Sequence, residues 1–204
     1  MTSILTGDVI NSRKVESNIW LPVLKAAFQT VGMSSKTWEI YRGDSFQIEI
    51  EEIENSLLFA IKLKAALKKI KDLDVRIAIG IGSKNDEYIN ITEGSGAAFL
   101  SSGLAFDTLL KKQNLVIKTP NKDFDHIFNT SLALALLIMD NWTVNSATFV
   151  LKYLENPNAS QKMIAKELNI SESSASERRK RAGLDEILQL EKLYRALIKQ
   201  KISE

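Results

Sequence analysis

Hydrophobic residues in the first part of the chain follow two different periods. Phe46, Ile48 and Ile50 alternate with polar residues, and a period of two is typical of a half-buried strand. The apolar residues of 53–70 recur every three or four positions, which predicts an amphipathic helix. The same patterns predict strands at Ser3–Val9, 37–42, 45–50, 75–82 and Leu115–Lys118, and helices at 19–31, 53–70 and 97–112.

This order of elements, β-α-β-β-α-β followed by α-β, is the split β-α-β arrangement of a ferredoxin-like sheet, extended by one unit. In that topology the first strand lies at the centre, beside the hairpin of the second and third strands. Only Gly43-Asp44 separates the two hairpin strands, so we predict a two-residue type II′ turn there.

The second part of the chain contains helical patterns only. Apolar runs predict helices through Leu132–Met139 and Ser146–Leu154, and eight of the nine glycines precede position 104. We therefore predict an α/β (α+β) fold class, with a ferredoxin-like domain at residues 1–123 and an all-α domain at residues 124–204.

Composition narrows the class of protein. The chain has 204 residues, 45% of them hydrophobic and 25% charged, as in ordinary globular domains. It has no cysteine and a single histidine, His126, which excludes disulfides, thiolate metal sites and His-rich metal sites. The longest apolar run, Leu132–Met139, is too short to span a bilayer, and no basic leader precedes Asp8. We expect a cytoplasmic protein without a membrane partner.

A helix-turn-helix pattern occupies residues 159–182. Ser160 and Ser171 stand where two successive helices would begin, and serine is a favoured N-cap. A short turn at 169–171 separates the helices, and Ile170 would fill the core beneath it. The inner face of the first helix is predicted to contain Met163, Ile164, Ala165 and Leu168. The stretch resembles the helix-turn-helix units of replication initiators and sigma factors.

That resemblance implies that the second helix enters the major groove of DNA. Its polar residues would lie near base edges, and its basic run would contact phosphates. A basic run is also compatible with a solvated surface, and helix-turn-helix units also bind proteins. The candidate DNA-binding residues are Ser173, Ser176, Arg178, Arg179, Lys180 and Arg181.

The last predicted helix has a continuous apolar stripe. This stripe would either pack on the helix-turn-helix or form a homodimer, which would supply two DNA half-sites. The sequence leaves both interpretations open. The stripe contains Leu184, Ile187, Leu188, Leu190, Leu193, Tyr194 and Leu197.

Two Gly-Asp pairs suggest an oxygen-ligand site. Asp8 ends the first strand and Asp44 lies at the hairpin tip, so both would emerge at the same end of the sheet. Two converging carboxylates suit Mg²⁺ bound together with substrate phosphates. Each Gly-Asp pair is equally compatible with a structural turn. The residues that would contact a nucleotide or another phosphorylated molecule are Asn11, Ser12, Arg13, Arg42 and Gly43.

Four segments in this order resemble the SatD family, a bacterial family. They are 5–13 (LTGDVINSR), 41–47 (YRGDSFQ), 76–82 (RIAIGIG) and 96–103, which begins Gly-Ala-Ala-Phe. The same segments are more distantly similar to the palm-type domain of class III nucleotidyl cyclases and diguanylate cyclases. This resemblance implies that Asp8 and Asp44 hold metal ions and a nucleoside triphosphate.

The chain departs from the cyclase pattern on the following helix. Cyclases carry an Asn and an Arg there, whereas the aligned positions are Leu100 and Leu104. Because neither can stabilise a phosphoryl group in transfer, we expect a regulatory protein with nucleotide-binding and DNA-binding parts rather than an enzyme. A dimeric cyclase-type or nucleotide-polymerising enzyme and an inert protein-interaction adaptor remain as alternatives. Residues 94–96 (Gly-Ser-Gly) would approach a nucleotide or simply begin that helix.

Overall fold

The structure, a computed structural model, describes residues 1–85, 88–109 and 113–203. These residues form a mixed α/β fold with one five-stranded sheet and eight α-helices. The strands are β1 (Thr2–Ile10), β2 (Trp38–Tyr41), β3 (Ser45–Ile50), β4 (Asp74–Gly82) and β5 (Leu115–Lys118). The helices are α1 (Ser17–Gln29), α2 (Ser56–Lys68), α3 (Ala97–Asp107), α4 (Lys122–Met139), α5 (Val144–Glu155), α6 (Gln161–Glu167), α7 (Glu172–Arg181) and α8 (Leu184–Ser203). None of the helices described has both the length and the apolar character needed to cross a membrane.

The sheet has the order β2-β3-β1-β4-β5. β1 is antiparallel to both of its neighbours, β3 and β4, and β5 is parallel to β4. The predicted central position of the first strand beside the hairpin is confirmed. The predicted helix at 97–112 ends earlier, at Asp107, and its last three predicted residues lie outside the described part of the chain.

Helices cover both faces of the sheet. Leu5 and Val9 of β1 belong to the main core, which includes residues of α1 and α2. The alternate residue Ile4 packs with Ala98 and Phe99 of α3 on the other face. β1 is therefore buried on both sides, and its functional residues must lie at its ends.

The hairpin between β2 and β3 differs from the prediction. Tyr41 pairs with Ser45, so the loop has three residues rather than the two predicted. Arg42 has φ 52° and Gly43 has φ 91°, and two successive positive φ angles do not fit a type II′ turn. The loop is longer because β2 ends at Tyr41, one residue earlier than predicted.

α4 begins well before the apolar run Leu132–Met139 that predicted it. The side chain of Asn121 accepts a hydrogen bond from the Phe124 amide and caps the helix at Lys122. Directly after Phe128, the side chain of Asn129 accepts a hydrogen bond from the Ile117 N–H and donates one to the Ile117 carbonyl, each at 2.8 Å. Asn129 thus occupies the place of a further strand at the free edge of β5 and attaches α4 to the sheet.

α8 packs inside the chain. Tyr194 is fully buried, donates a hydrogen bond to the Ile53 carbonyl at 2.8 Å and contacts the rings of Phe124 and Phe128. Most of the predicted apolar stripe is therefore used within the chain, although Leu193 is 48% exposed. One continuous core joins the sheet to α4–α8, and a domain division at residue 123 stays a prediction.

A buried ion cluster also connects the sheet to the helices that follow it. Lys64 of α2 is 2% exposed, and its Nζ lies 2.7 Å from Asp74 Oδ1 and 2.6 Å from Asp140 Oδ1. Lys68 Nζ lies 3.2 Å from Asp74 Oδ2 and donates to the Asp140 carbonyl at 2.7 Å. Asp74 begins β4 and Asp140 follows α4, so the cluster connects α2, the sheet and the helical half (α4 to α8).

We predict opposite effects for two glycine substitutions at α3. A Cβ on Gly80 would lie 2.2 Å from the Ser102 nitrogen and 2.4 Å from the Ala98 carbonyl oxygen, whereas a Cβ on Gly103 would meet nothing within 4 Å. Gly80→Ala should lower the free energy of unfolding by about 2–3 kcal/mol, because it forces α3 away from β4. Gly103→Ala should raise it by about 0.5–1 kcal/mol, because alanine favours the helix. Urea unfolding followed by circular dichroism measures both, and a Gly80→Ala protein as stable as wild type would contradict the packing described.

Candidate functional site

Asp8 and Asp44 lie at the same corner of the sheet. Asp8 is opposite Ser45 in the β1–β3 register, and Asp44 is the residue directly before Ser45. The Val9 amide donates to the Asp44 carbonyl at 3.1 Å. The structure thus brings the two aspartates together in the backbone, as the sequence predicted.

Each carboxylate nevertheless has its own partner. Arg76 of β4, directly opposite Asp8, donates from Nε to Oδ1 at 3.2 Å and from Nη2 to Oδ2 at 2.5 Å. This hydrogen bonding raises the pKa of Arg76 above its ordinary value. The guanidinium also lies 5.1 Å from the centre of the Phe106 ring of α3. A metal ion that binds Asp8 would therefore have to displace the Arg76 guanidinium or share the Asp8 carboxylate with it.

Asp44 is held by the turn that follows β1. The Ser12 hydroxyl donates to Asp44 Oδ2, and Asn11 adopts a left-handed conformation with φ 63°. The side-chain amide of Asn11 donates to the Asp72 carbonyl at 2.9 Å rather than to Asp44. Of the predicted phosphate-binding residues, Ser12 is thus in contact with a predicted metal ligand, and Asn11 supports the loop.

The remaining predicted residues at this corner, Arg13, Arg42 and Gly43, are exposed. Burial raises the pKa of the Tyr41 phenol; the charge of Arg42 opposes the rise, and Asp8 and Asp107 add to it. The charges of Arg42, Asp8 and Asp107 therefore all act on the region around the Tyr41 phenol.

Sequence reasoning gave no role to Tyr41 or Phe106 at this corner. For Tyr41, the sequence contained one indication of a role here: the residue directly precedes Arg42-Gly43-Asp44 at the tip of the hairpin. Nothing in the sequence places Phe106 next to Arg76, because that contact depends on how α3 crosses the sheet.

In the described residues, no group of three or more His, Asp or Glu side chains is arranged to hold a metal ion. A Mg²⁺ ion at this corner would therefore use two carboxylates and take its other oxygen ligands from water or a bound phosphate. That ligand set is typical of Mg²⁺ bound together with a nucleotide.

The segments near α3 do not add to the site. Leu100 and Leu104 are 63% and 49% exposed, so α3 presents apolar side chains to solvent at both positions. A Cβ on Gly94 would lie 2.2 Å from the Phe99 ring, and Gly96 caps α3 with φ 120°. The structural interpretation of residues 94–96, as the start of the helix, fits these contacts.

α6 and α7 form the second candidate site. Ser160 Oγ accepts from the Met163 amide at 3.2 Å, and Ser171 Oγ accepts from the Ser174 amide at 3.1 Å, so both predicted caps are confirmed. Ala165 of α6 and Ala175 of α7 are buried, and the two helices pack against each other. The turn between the helices contains Asn169, in a left-handed conformation with φ 52°.

α7 presents a polar face to solvent. Ser173, Ser176, Lys180 and Arg181 are exposed, and Arg178 is partly exposed. Arg181 lies 3.3 Å from Glu177, which reduces the positive field on this face.

One prediction about these helices is wrong. Met163 was assigned to the inner face of α6 but is 55% exposed, whereas its neighbours Ile164 and Ala165 are buried. Arg179, a predicted phosphate contact, is partly buried and already has partners within the chain. Its Nη2 lies 2.6 Å from Asp185 Oδ1, and its guanidinium lies 4.9 Å from the centre of the Tyr153 ring.

Comparisons with known proteins give no match to this chain, whether with protein-family models, with curated proteins or with solved structures.

Proposed function

We propose that the protein is a regulatory protein of the SatD type that binds DNA through α6 and α7 as a helix-turn-helix. The observation that carries this proposal is the arrangement of those two helices. Both begin at serine caps, each has a small buried alanine, and the polar face of α7 is exposed. A short capped helix that is held at its back and exposed at its front suits insertion into the major groove.

The proposed division of labour along α7 follows from exposure. Ser173 and Ser176 lie in the first half of the helix, where base edges would be met. Arg178, Lys180 and Arg181 lie in the second half and would contact phosphates. Arg179 instead fixes α7 to α8 through Asp185. With about three phosphate contacts per chain, affinity would be modest and would fall as salt rises.

We predict that removing two of these charges weakens DNA binding. Lys180→Ala together with Arg181→Ala should reduce affinity for a random-sequence DNA duplex about tenfold and flatten the salt dependence by about two units of slope. Fluorescence anisotropy of a labelled duplex over a salt series measures both quantities.

The matched control removes two exposed lysines outside α6 and α7, Lys25→Ala on α1 and Lys36→Ala just before β2, with the same loss of charge. A wild-type protein that does not bind the duplex at low salt would refute the DNA-binding proposal. An equal effect of both double variants would also refute it.

We further propose that the corner at Asp8 and Asp44 binds a magnesium-nucleotide. The order β2-β3-β1-β4, with β1 antiparallel to both neighbours, supports a ferredoxin-like or palm-like sheet. The adjacency of the two aspartates is the specific observation in favour. Arg76 would transfer part of its hydrogen bonding from Asp8 to a phosphate when Mg²⁺ binds.

We predict that each aspartate contributes to nucleotide affinity. Titration calorimetry with ATP and GTP, each with and without Mg²⁺, should give binding heat that requires the metal. Asp44→Asn should weaken this binding at least about tenfold, because it removes one of the few charged ligands of the ion. Asp123→Asn, at an exposed position in the first turn of α4, is the control. Absence of Mg²⁺-dependent heat with both nucleotides would refute the proposal.

The two alternatives from the sequence give different results in the same experiments. An enzyme of the cyclase or polymerising type would release pyrophosphate from the bound nucleotide. Exposed leucines at 100 and 104 and the engagement of Arg76 by Asp8 argue against it. An inert adaptor would bind neither DNA nor nucleotide.

A further inference from the structure

α4 has an exposed face without charge. The 14 residues between Asp125 and Asp140 include no Asp, Glu, Lys or Arg. The inner side of this stretch is buried in the core through Phe128, Leu132 and Leu136. Its outer side leaves four large apolar residues exposed: Ile127 at 60%, Leu134 at 63%, Leu137 at 70% and Ile138 at 37%.

The apolar face continues across a groove to α3. The groove has a volume of about 600 Å³, with Val116 of β5 on its floor, Thr108 on the α3 side and Ala133 on the α4 side. Leu104 lies one turn before Thr108 and Leu100 one turn before that, and both are exposed. The uncharged side of α4, the groove and these two leucines form one surface, which we call the α3–α4 face.

We propose that the α3–α4 face is where two copies of this chain associate about a two-fold axis. The six exposed leucine and isoleucine side chains present an area on the order of 600 Å², at the upper end of the ~300–600 Å² of the largest apolar patch on a typical monomer and approaching the ~800 Å² that each partner buries in a standard interface. A surface of this size is a site of association rather than scattered exposure.

The chemistry of the face favours a second copy over other occupants. The charges that border the face in the described residues have both signs, with Lys118 and Lys122 beside Asp107, Asp123 and Asp125. The face therefore lacks the basic rim that would bind an anionic membrane and the one-signed field that would select a charged partner. An uncharged face meets its own copy without repulsion, as a two-fold interface requires.

Polar groups on the face do not oppose its burial. The Thr130 hydroxyl donates to the His126 carbonyl at 2.9 Å, and the Ser131 hydroxyl donates to the Ile127 carbonyl at 3.0 Å. Both hydroxyl donors are satisfied within α4, so burial against a second copy leaves neither of these two hydroxyls without an acceptor.

The interface would also bring the two α7 helices near each other. Ile138, at one end of the face, lies where a Cβ on Gly183 would meet it at 3.0 Å, just beyond the end of α7. Only this consequence rests on the proposed DNA binding. The association itself stands or falls separately.

Light scattering and sedimentation of the full chain over a wide range of concentration test the inference. Wild type should be a dimer, and Leu134→Glu should raise the dissociation constant at least about hundredfold, because a carboxylate would be buried without a partner. Ile19→Glu, at a 52% exposed isoleucine on α1, is the matched control and should leave the dimer intact. Circular dichroism confirms that both variants are folded.

A second pair of variants tests the same interface without introducing a buried carboxylate. The chain has no cysteine, so Leu134→Cys and the control Ile19→Cys each introduce a single thiol. A short bismaleimide should cross-link the first into a dimer and not the second. A wild type that is monomeric at every concentration, or a dimer that survives Leu134→Glu, would overturn the inference whether or not the protein binds DNA.

Discussion

The ammonium group of Lys64 lies inside the core, and the junction between the sheet and the helical half depends on it. It is in contact with Asp74 at the start of β4 and Asp140 at the end of α4. A buried charge is stable only while its partners stay in place, and losing one partner costs about 3–5 kcal/mol. The cluster therefore fixes the two parts of the chain in one relative position, which apolar contacts alone would specify less sharply.

Both candidate sites are attached to this junction. Asp74 is two residues from Arg76 on β4, so the strand that carries the Lys64 cluster also carries the partner of Asp8. On the other side, Asp140 is two residues from Trp142, whose Nε1 donates to the Ala182 carbonyl at the end of α7 at 2.9 Å. A continuous set of bonded residues thus runs from the corner of the sheet to the proposed DNA-binding helix. Regulation of one by the other would require two states in which these contacts differ.

Much of the fold was predictable from the sequence because it is encoded locally. The alternation at 45–50 gave β3, and the serines at 160 and 171 marked the starts of α6 and α7. What failed depends on tertiary contacts. Lys64 lies on an amphipathic helix, where a lysine normally indicates the solvent side, and its two partners are distant in sequence. In the sequence Arg179 is one member of a basic run, and its contact with Asp185 depends on how α8 packs against α7. The sequence predicted that Asp8 and Asp44 lie at one corner of the sheet, but it did not predict their hydrogen-bond partners. Arg76 becomes the partner of Asp8 only through the β1–β4 register.

We infer that the sheet and the helical half unfold as one unit. Native-state hydrogen exchange tests this, since it gives a free energy of opening for each protected amide. The slowest amides of β1 and β4 and those of α5 and α8 should share one opening free energy. Lys64→Met should lower all of them together, by about 3 kcal/mol. A helical half that opens separately at lower free energy, with no response to Lys64→Met, would contradict it.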